Sequence, residues 1–396
     1  MSPSRPAASM RPATACVHAG HRADARTRDI VAPISQSATF LLDDQAYAKM
    51  LGGRVEEALI YSRIRNPTLD VVQRRLAALD GAEACLVFAS GMAAIHSVAM
   101  SLLKPGDRIV AHRDLYGSTW DLFLNFLAPL GIETVLADLD DEETRARALA
   151  KGAAMVYCES ISNPTMTVAD VPAIAKAARA AGARLVVDAT FATPILQRPL
   201  ELGADVVLHS ATKYLGGHSD LIGGAACGSA EILRGAFRWL QLGGGCMDPH
   251  AAFLLDRGIK TLPLRMRAHV ENAGRLAARL VEHPRVLSVL YPGLPGHRSY
   301  ARAKSLLAAP GGMLSFVVEG GDASALRFVR GLELALEASS LGGVETLVSL
   351  PFNTSHVKLS PAERSSAGIP PGLVRVSVGI EDADDLIADF VRALDA

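Results

Sequence analysis

The sequence predicts an α/β protein: a mostly parallel sheet with helices on both faces, followed by a smaller C-terminal α+β domain. Three observations predict it. From about Leu69 onward, short strand-like runs alternate with amphipathic helical runs. The strand-like runs are almost wholly apolar instead of alternating, as expected of strands buried on both faces. After a long helical stretch over about 263–283, the rhythm changes to strand-rich segments that end in a helix.

Taken in order, LDVVQRRLAALDG is an amphipathic helix stopped by Gly81, and ACLVFAS is a strand. GMAAIHSVAMSLL is a helix closed by the turn KPGD, and RIVAH is the next strand. AMVYCES, a helix over 171–181, ARLVVDA and ADVVLHS continue the pattern. In the C-terminal part, GGMLSFVVEGG, LELALEASSLGG and LVRVSVGIED read as strands. The first 60 or so residues lack this rhythm and read as an arm that packs on something else. The expected division is an arm over 1–62, a large domain over 63–258 and a C-terminal domain over 259–396.

Composition excludes several classes. The 396 residues carry 40 Lys and Arg against 41 Asp and Glu, with no basic stripe or acidic tail, so neither nucleic acid nor a membrane surface is an expected partner. No apolar run approaches the roughly 20 residues that span a bilayer. The opening MSPSRPAASMRPATA lacks the continuous apolar core of a secretory signal and reads as a disordered or clasping segment. Five widely spaced cysteines without CxxC pairing argue against a zinc site or disulfide framework, and for the reducing cytoplasm.

In an open α/β sheet, ligands bind beyond the carboxyl ends of the strands. ACLVFAS runs into Gly91 and Met92 at a helix start, where bare amides attract phosphate. RIVAH is followed by Tyr116, AMVYCES ends at Glu159 and leads to Asn163, ARLVVDA reaches Asp188, and ADVVLHS runs into Ser210, Thr212 and Lys213. Singly, each has a plain structural reading: a cap, a core rim, a turn-forming acid, a surface lysine. Together, a phosphate cradle, an aromatic plate, an acid and a lysine are the parts that hold pyridoxal phosphate. A dinucleotide would want GxGxxG after the first strand, and a nucleoside triphosphate GxxxxGK[ST]; the chain has neither there.

The motifs YSRIRNPT (61–68), ASGMAA (89–94), DLYGST (114–119), ESISNPT (159–165), VVDATFATP (186–194), HSATKYLGGHSD (209–220), RGIKTL (257–262), SLGGVETL (340–347) and LVRVSVGIED (373–382) follow one another along nearly the whole chain. In this set the sequence resembles the pyridoxal-phosphate enzymes of cysteine and methionine metabolism: methionine γ-lyase, cystathionine γ-lyase, cystathionine γ-synthase and O-acylhomoserine sulfhydrylase. The resemblance implies the aspartate-aminotransferase-type fold (fold type I), an amino-acid substrate and a homo-oligomer, usually a tetramer. It implies Lys213 as the Schiff-base lysine and proton carrier, Asp188 as partner of the pyridine nitrogen, and Asn163 near the ring hydroxyl. Tyr116 would stack on the ring and help to move protons at the leaving group, and Gly91, Met92, Ser210 and Thr212 would hold the phosphate. Tyr61 and Arg63 would reach that phosphate from a neighbouring subunit. Arg375 would clamp the substrate carboxylate bidentately, with Ser340 beside it.

Several positions depart from the resemblance. Ala189 stands where the family has asparagine. Ile60 and Ser339 stand where cystathionine enzymes carry acidic groups, which favours a smaller or uncharged substrate side chain. Ser118 replaces the cysteine typical of methionine γ-lyases, and Leu240 and Gln241 replace their lysine–aspartate pair. The expected activity is γ-elimination on a sulphur amino acid such as methionine or homocysteine. The alternative is γ-replacement joining an activated homoserine to a thiol or other nucleophile. A third reading, a non-catalytic scaffold, conflicts with the intact Lys213, Asp188, Tyr116 and Arg375.

Overall fold

The computed structural model describes residues 10–21, 28–354, 364 and 368–396. Seven strands form the larger sheet: β1 (Ala84–Phe88), β2 (Arg108–His112), β3 (Glu133–Ala137), β4 (Met155–Glu159), β5 (Arg184–Asp188), β6 (Val206–Ser210) and β7 (Gly224–Gly228). Their order is β1-β7-β6-β5-β4-β2-β3, parallel throughout except that β7 runs antiparallel to both its neighbours. The mostly parallel α/β sheet is therefore present.

Alternation within each strand explains why the strand sequences are continuously apolar. On β5, Val186 packs on the face covered by the helices Gly91–Leu102 and Ala230–Gly243, while Leu185 and Val187 pack on the opposite face with Val171–Ala180. On β6, Val206 and Leu208 share the first face, and Val207 lies opposite, over Pro67–Asp80 and Pro249–Ile259. Both faces are buried under helices, so neither set of alternate positions admits a polar run.

The smaller sheet comprises β8 (Val286–Leu290), β9 (Met313–Val318), β10 (Leu336–Glu337), β11 (Leu347–Ser349) and β12 (Leu373–Ser377), in the order β10-β11-β12-β9-β8. The closing helix Ala383–Asp395 packs its Leu386, Phe390 and Leu394 onto this sheet. The helix read at 263–283 spans Leu262–Val281.

Three elements differ from the sequence reading. LELALEASSLGG yields only the two-residue β10, because the chain must leave the sheet for Ser340, held at φ 93°, to reach the first domain's crevice. GAACG, unremarkable as sequence, is strand β7: a Cβ on Gly224 would lie 2.2 Å from the Ser90 carbonyl oxygen, so close approach takes precedence over β propensity. Within the arm, Pro12–His18 is a helix that buries Ala15 and Cys16 in the core of its own chain; residues 1–9 lie outside the described residues. Among the described residues, no helix is long and apolar enough to cross a membrane.

Candidate active site

The parallel strands β2, β4, β5 and β6 end along one edge, and the side chains there converge. β4 and β5 pair Glu159 with Asp188, and β5 and β6 pair Asp188 with Leu208. Thr190 ties the strand ends together: its amide donates to Asp188 Oδ1 (2.9 Å), and its hydroxyl accepts from the Ser210 amide (2.8 Å).

Lys213 follows β6 on a tight turn in which its own amide donates to the Ser210 carbonyl (3.2 Å) and its carbonyl accepts from Gly217 (2.8 Å). Its Nζ donates to Ser340 Oγ at 2.7 Å. Burial and then the Arg375 charge lower the Lys213 pKa to about 8. Arg375, on β12, is buried; its Nη1 donates to Asn163 Oδ1 (3.1 Å) and its Nη2 to the Ser340 carbonyl (2.9 Å). Both acceptors are neutral, and its buried Nε has no partner among the described residues. Burial lowers even this guanidinium to about 10, a sign that the site wants an anion.

Asp188 has the complementary deficit. Its donors, the Thr190 amide and the Tyr157 hydroxyl (3.4 Å), are neutral, and burial pushes its carboxyl up against the pull of Thr190, His209 and Tyr157. A cationic partner such as a protonated pyridine nitrogen answers that deficit. On the other side of β6, the helix Gly91–Leu102 opens beneath Ser210: a Cβ on Gly91 would come 2.9 Å from the Ser210 Cβ. Gly91 therefore lets the helix start pack directly against Ser210, which puts the serine beside the bare amides that attract an anion. Met92 continues that helix, half-buried against its core. Thr212 is half-buried and braced by Gly223, whose amide donates to Thr212 Oγ1 at 3.0 Å.

Tyr116 is exposed at the crevice, and its backbone amide donates to Glu159 Oε1 at 2.5 Å. Sequence reasoning gave no role to Glu159, Tyr157 or Thr190. Glu159 ends β4 and Thr190 follows the end of β5, a position that is itself a signal, whereas Tyr157 is the middle residue of β4 and carries none. Burial and then the Asp188 charge push the Glu159 carboxyl well above the usual range.

The remaining residues are not gathered in. Tyr61 is exposed and joined to Thr39 by an isolated bridge, with the Arg63 guanidinium over its ring at 5.5 Å. Arg63 itself donates to the Gln241 carbonyl (2.8 Å) and to none of the crevice residues. Ile60 is half-buried, its carbonyl accepting from Phe40 and Thr39. Ser118 and Ser339 are exposed.

A lysine of lowered basicity, a carboxylate short of a cation and an anion cradle at a helix start, all on one edge of an α/β sheet, define a pyridoxal-phosphate enzyme. The residues fit that group on their own chemistry. The chain belongs to the Cys/Met metabolism PLP-dependent enzyme family, whose model matches residues 13–395. It is similar to an L-methionine gamma-lyase of Pseudomonas putida, 42% identical over 386 residues and 97% of each chain. It is also similar to a cystathionine gamma-synthase of Mycobacterium bovis, 39% identical over 97% of this chain and 96% of that one. Among solved structures, a cystathionine gamma synthase from Xanthomonas oryzae pv. oryzae in complex with aminoacrylate and cysteine superposes with a TM-score of 0.92, at 39% identity and 98% coverage of both chains.

Proposed function

We propose that this protein catalyses γ-elimination on a sulphur amino acid such as methionine or homocysteine. Water and methionine give 2-oxobutanoate, ammonia and methanethiol, one of each. The observation that carries the reading is the corner at Ser340: its hydroxyl holds Lys213 Nζ and its carbonyl holds Arg375. A substrate carboxylate on Arg375 is thereby anchored beside an amine that is easily made neutral.

When bound, pyridoxal phosphate supplies an electron sink that stabilises negative charge at the substrate's Cα and Cβ. Lys213 Nζ would be the attachment point for its aldehyde and, as a free amine, the base that takes the Cα proton. Asp188 would hold a positive charge at the pyridine nitrogen, Asn163 would serve the ring hydroxyl, and Tyr116 would stack on the ring and supply a proton to the departing sulphur. Gly91, Met92, Ser210 and Thr212 bind the phosphate. Ile60, Ser118 and Ser339, which one subunit does not bring into the crevice, would form the neutral outer part of the substrate pocket in the assembled enzyme.

The same residues serve γ-replacement, which the similarity to a cystathionine gamma-synthase supports. Purified protein given methionine alone should release 2-oxobutanoate and methanethiol in equal amounts. Slow release, with rapid thioether formation from an O-acylhomoserine and a thiol, would move the assignment to replacement.

We further propose a dimer-built site within a tetramer. Ile30, Leu41 and Leu51 are 92%, 98% and 90% exposed on the arm that carries Tyr61 and leads into Arg63. Such a set of apolar side chains calls for a second copy, to whose phosphate Tyr61 and Arg63 would reach. The working division remains an arm over 1–62, a cofactor domain over 63–258 and a C-terminal domain over 259–396. The five free thiols support a reducing cytoplasm.

A further inference from the structure

Under the crevice, on the opposite face of β6 from Leu208, lies a polar pair that the chemistry above does not use. His209 Nε2 is 3.0 Å from Asp80 Oδ2, and both side chains are 0% exposed. Asp80 ends the helix Pro67–Asp80, and Gly81 turns the chain away at φ 69°. The remaining polar atoms, Asp80 Oδ1 and His209 Nδ1, make no hydrogen bond of good geometry among the described residues, although the Ala189 backbone stands close to His209 and the Cys227 thiol close to Asp80. A fully buried ion pair contributes little net stability, because desolvation of both charges offsets their attraction. Its place in the chain supplies a reason to keep it. His209 directly precedes Ser210, whose amide is held by Thr190, whose amide in turn holds Asp188. Next to that link, the Ala189 amide donates to the Leu208 carbonyl at 2.9 Å.

We propose that Asp80 and His209 are positioning residues for the cofactor: Asp80 fixes His209 as an imidazolium, whose charge beneath the strand ends keeps Asp188 ionised for the pyridine nitrogen. The inference rests on the assignment of Asp188 to that nitrogen. The charges and titratable groups that face the pair are few. Asp80 comes from the helix, Asp188 from β5, Cys227 from β7, and Cys85 from β1 in direct register with Cys227. Both cysteines are buried thiols, and the hydrogen bond with Cys85, then burial, push Cys227 well above its ordinary value. Burial would lower the imidazole, but the Asp80 carboxylate, by charge and hydrogen bond, and then Asp188 raise it above its ordinary value. Burial leaves Asp188 raised overall, and after the Thr190 hydrogen bonds the imidazolium is the next group that pulls it down.

The test uses the PLP-loaded protein with Asp80→Asn, which removes the charge and keeps the shape, and His209→Gln. A less positive pyridine nitrogen makes the lysine-linked cofactor hold its proton more tightly. The pH midpoint of its visible absorption should therefore rise by about one unit in both variants, and PLP affinity should fall about tenfold. A purely structural pair would lower the melting temperature and leave the midpoint in place; that result overturns the proposal. Nitrogen NMR of histidine-labelled wild-type holoenzyme should find His209 as imidazolium at neutral pH, and a neutral ring overturns the proposal even where a variant fails to fold. Asp188→Asn separates the two readings. If it moves neither midpoint nor affinity, the Asp188 assignment falls; if it moves both and Asp80→Asn moves neither, only the Asp80–His209 proposal falls.

Discussion

Lys213 is the residue on which the proposed chemistry turns, and its environment makes a signed prediction. With a pKa of about 8, lowered by burial and by Arg375, roughly a tenth of the amine is neutral at pH 7 and about nine tenths at pH 9. Only the neutral amine attacks an aldehyde, so uptake of pyridoxal phosphate by the apoprotein should speed up about tenfold across that interval. Stopped-flow absorbance checks this, and a flat profile would show an amine outside the predicted environment. Lys213→Ala should fold, fail to develop a stable lysine-linked visible band and lose lyase activity. Arg375→Lys retains a charge but loses the planar fork that bonds Asn163 and the Ser340 carbonyl. Its KM for methionine should rise about 10- to 100-fold, with a smaller change in kcat.

At the scale of elements, two loops meet over the lysine turn. Gly342 has φ 77°, and a Cβ there would lie 2.5 Å from the Tyr214 amide nitrogen, so no other residue lets this loop close on the lysine. Gly342→Ala should cost about 1–3 kcal/mol in thermal unfolding and weaken the Lys213–Ser340 contact. Gly91→Ala forces Ser210 and the helix start apart, so both cofactor affinity and melting temperature should fall. A calorimetric PLP titration checks the first and a thermal melt the second. These elements also mark how far the sequence could be read. β4, β5 and β6 were legible because burial on both faces leaves an unbroken apolar signature. β7 was not, because Gly224 answers to contact with Ser90, a constraint set 134 positions away in the chain.

At the scale of the molecule, the large sheet supplies the strand ends and the small sheet supplies Arg375, while the Ser340 loop bonds to both Lys213 and Arg375. The arm stands outside this convergence, with Arg63 on Gln241 and exposed apolar side chains at Ile30, Leu41 and Leu51. If the arm completes a neighbour's site, Arg63→Ala mixed with Lys213→Ala should regain activity through hybrid dimers that contain one intact site. Assays of co-expressed and separately purified variants check this, and no recovery would place Arg63 outside the site.

The sequence by itself determined the α/β class, the strand ends that matter and the presence of a lysine, an acid, an aromatic and an arginine in motif order. Those follow from local signals: apolar runs, turn glycines and short motifs, all readable within a dozen residues. Only the tertiary structure decided which of them meet. It set Ser340 between Lys213 and Arg375, gave Asp188 its neutral donors Thr190 and Tyr157, and hid the Asp80–His209 pair beneath the crevice. Each of those contacts except the Thr190 bond joins residues 31 to 129 positions apart. The charge states they impose depend on burial and on neighbours that no local pattern encodes.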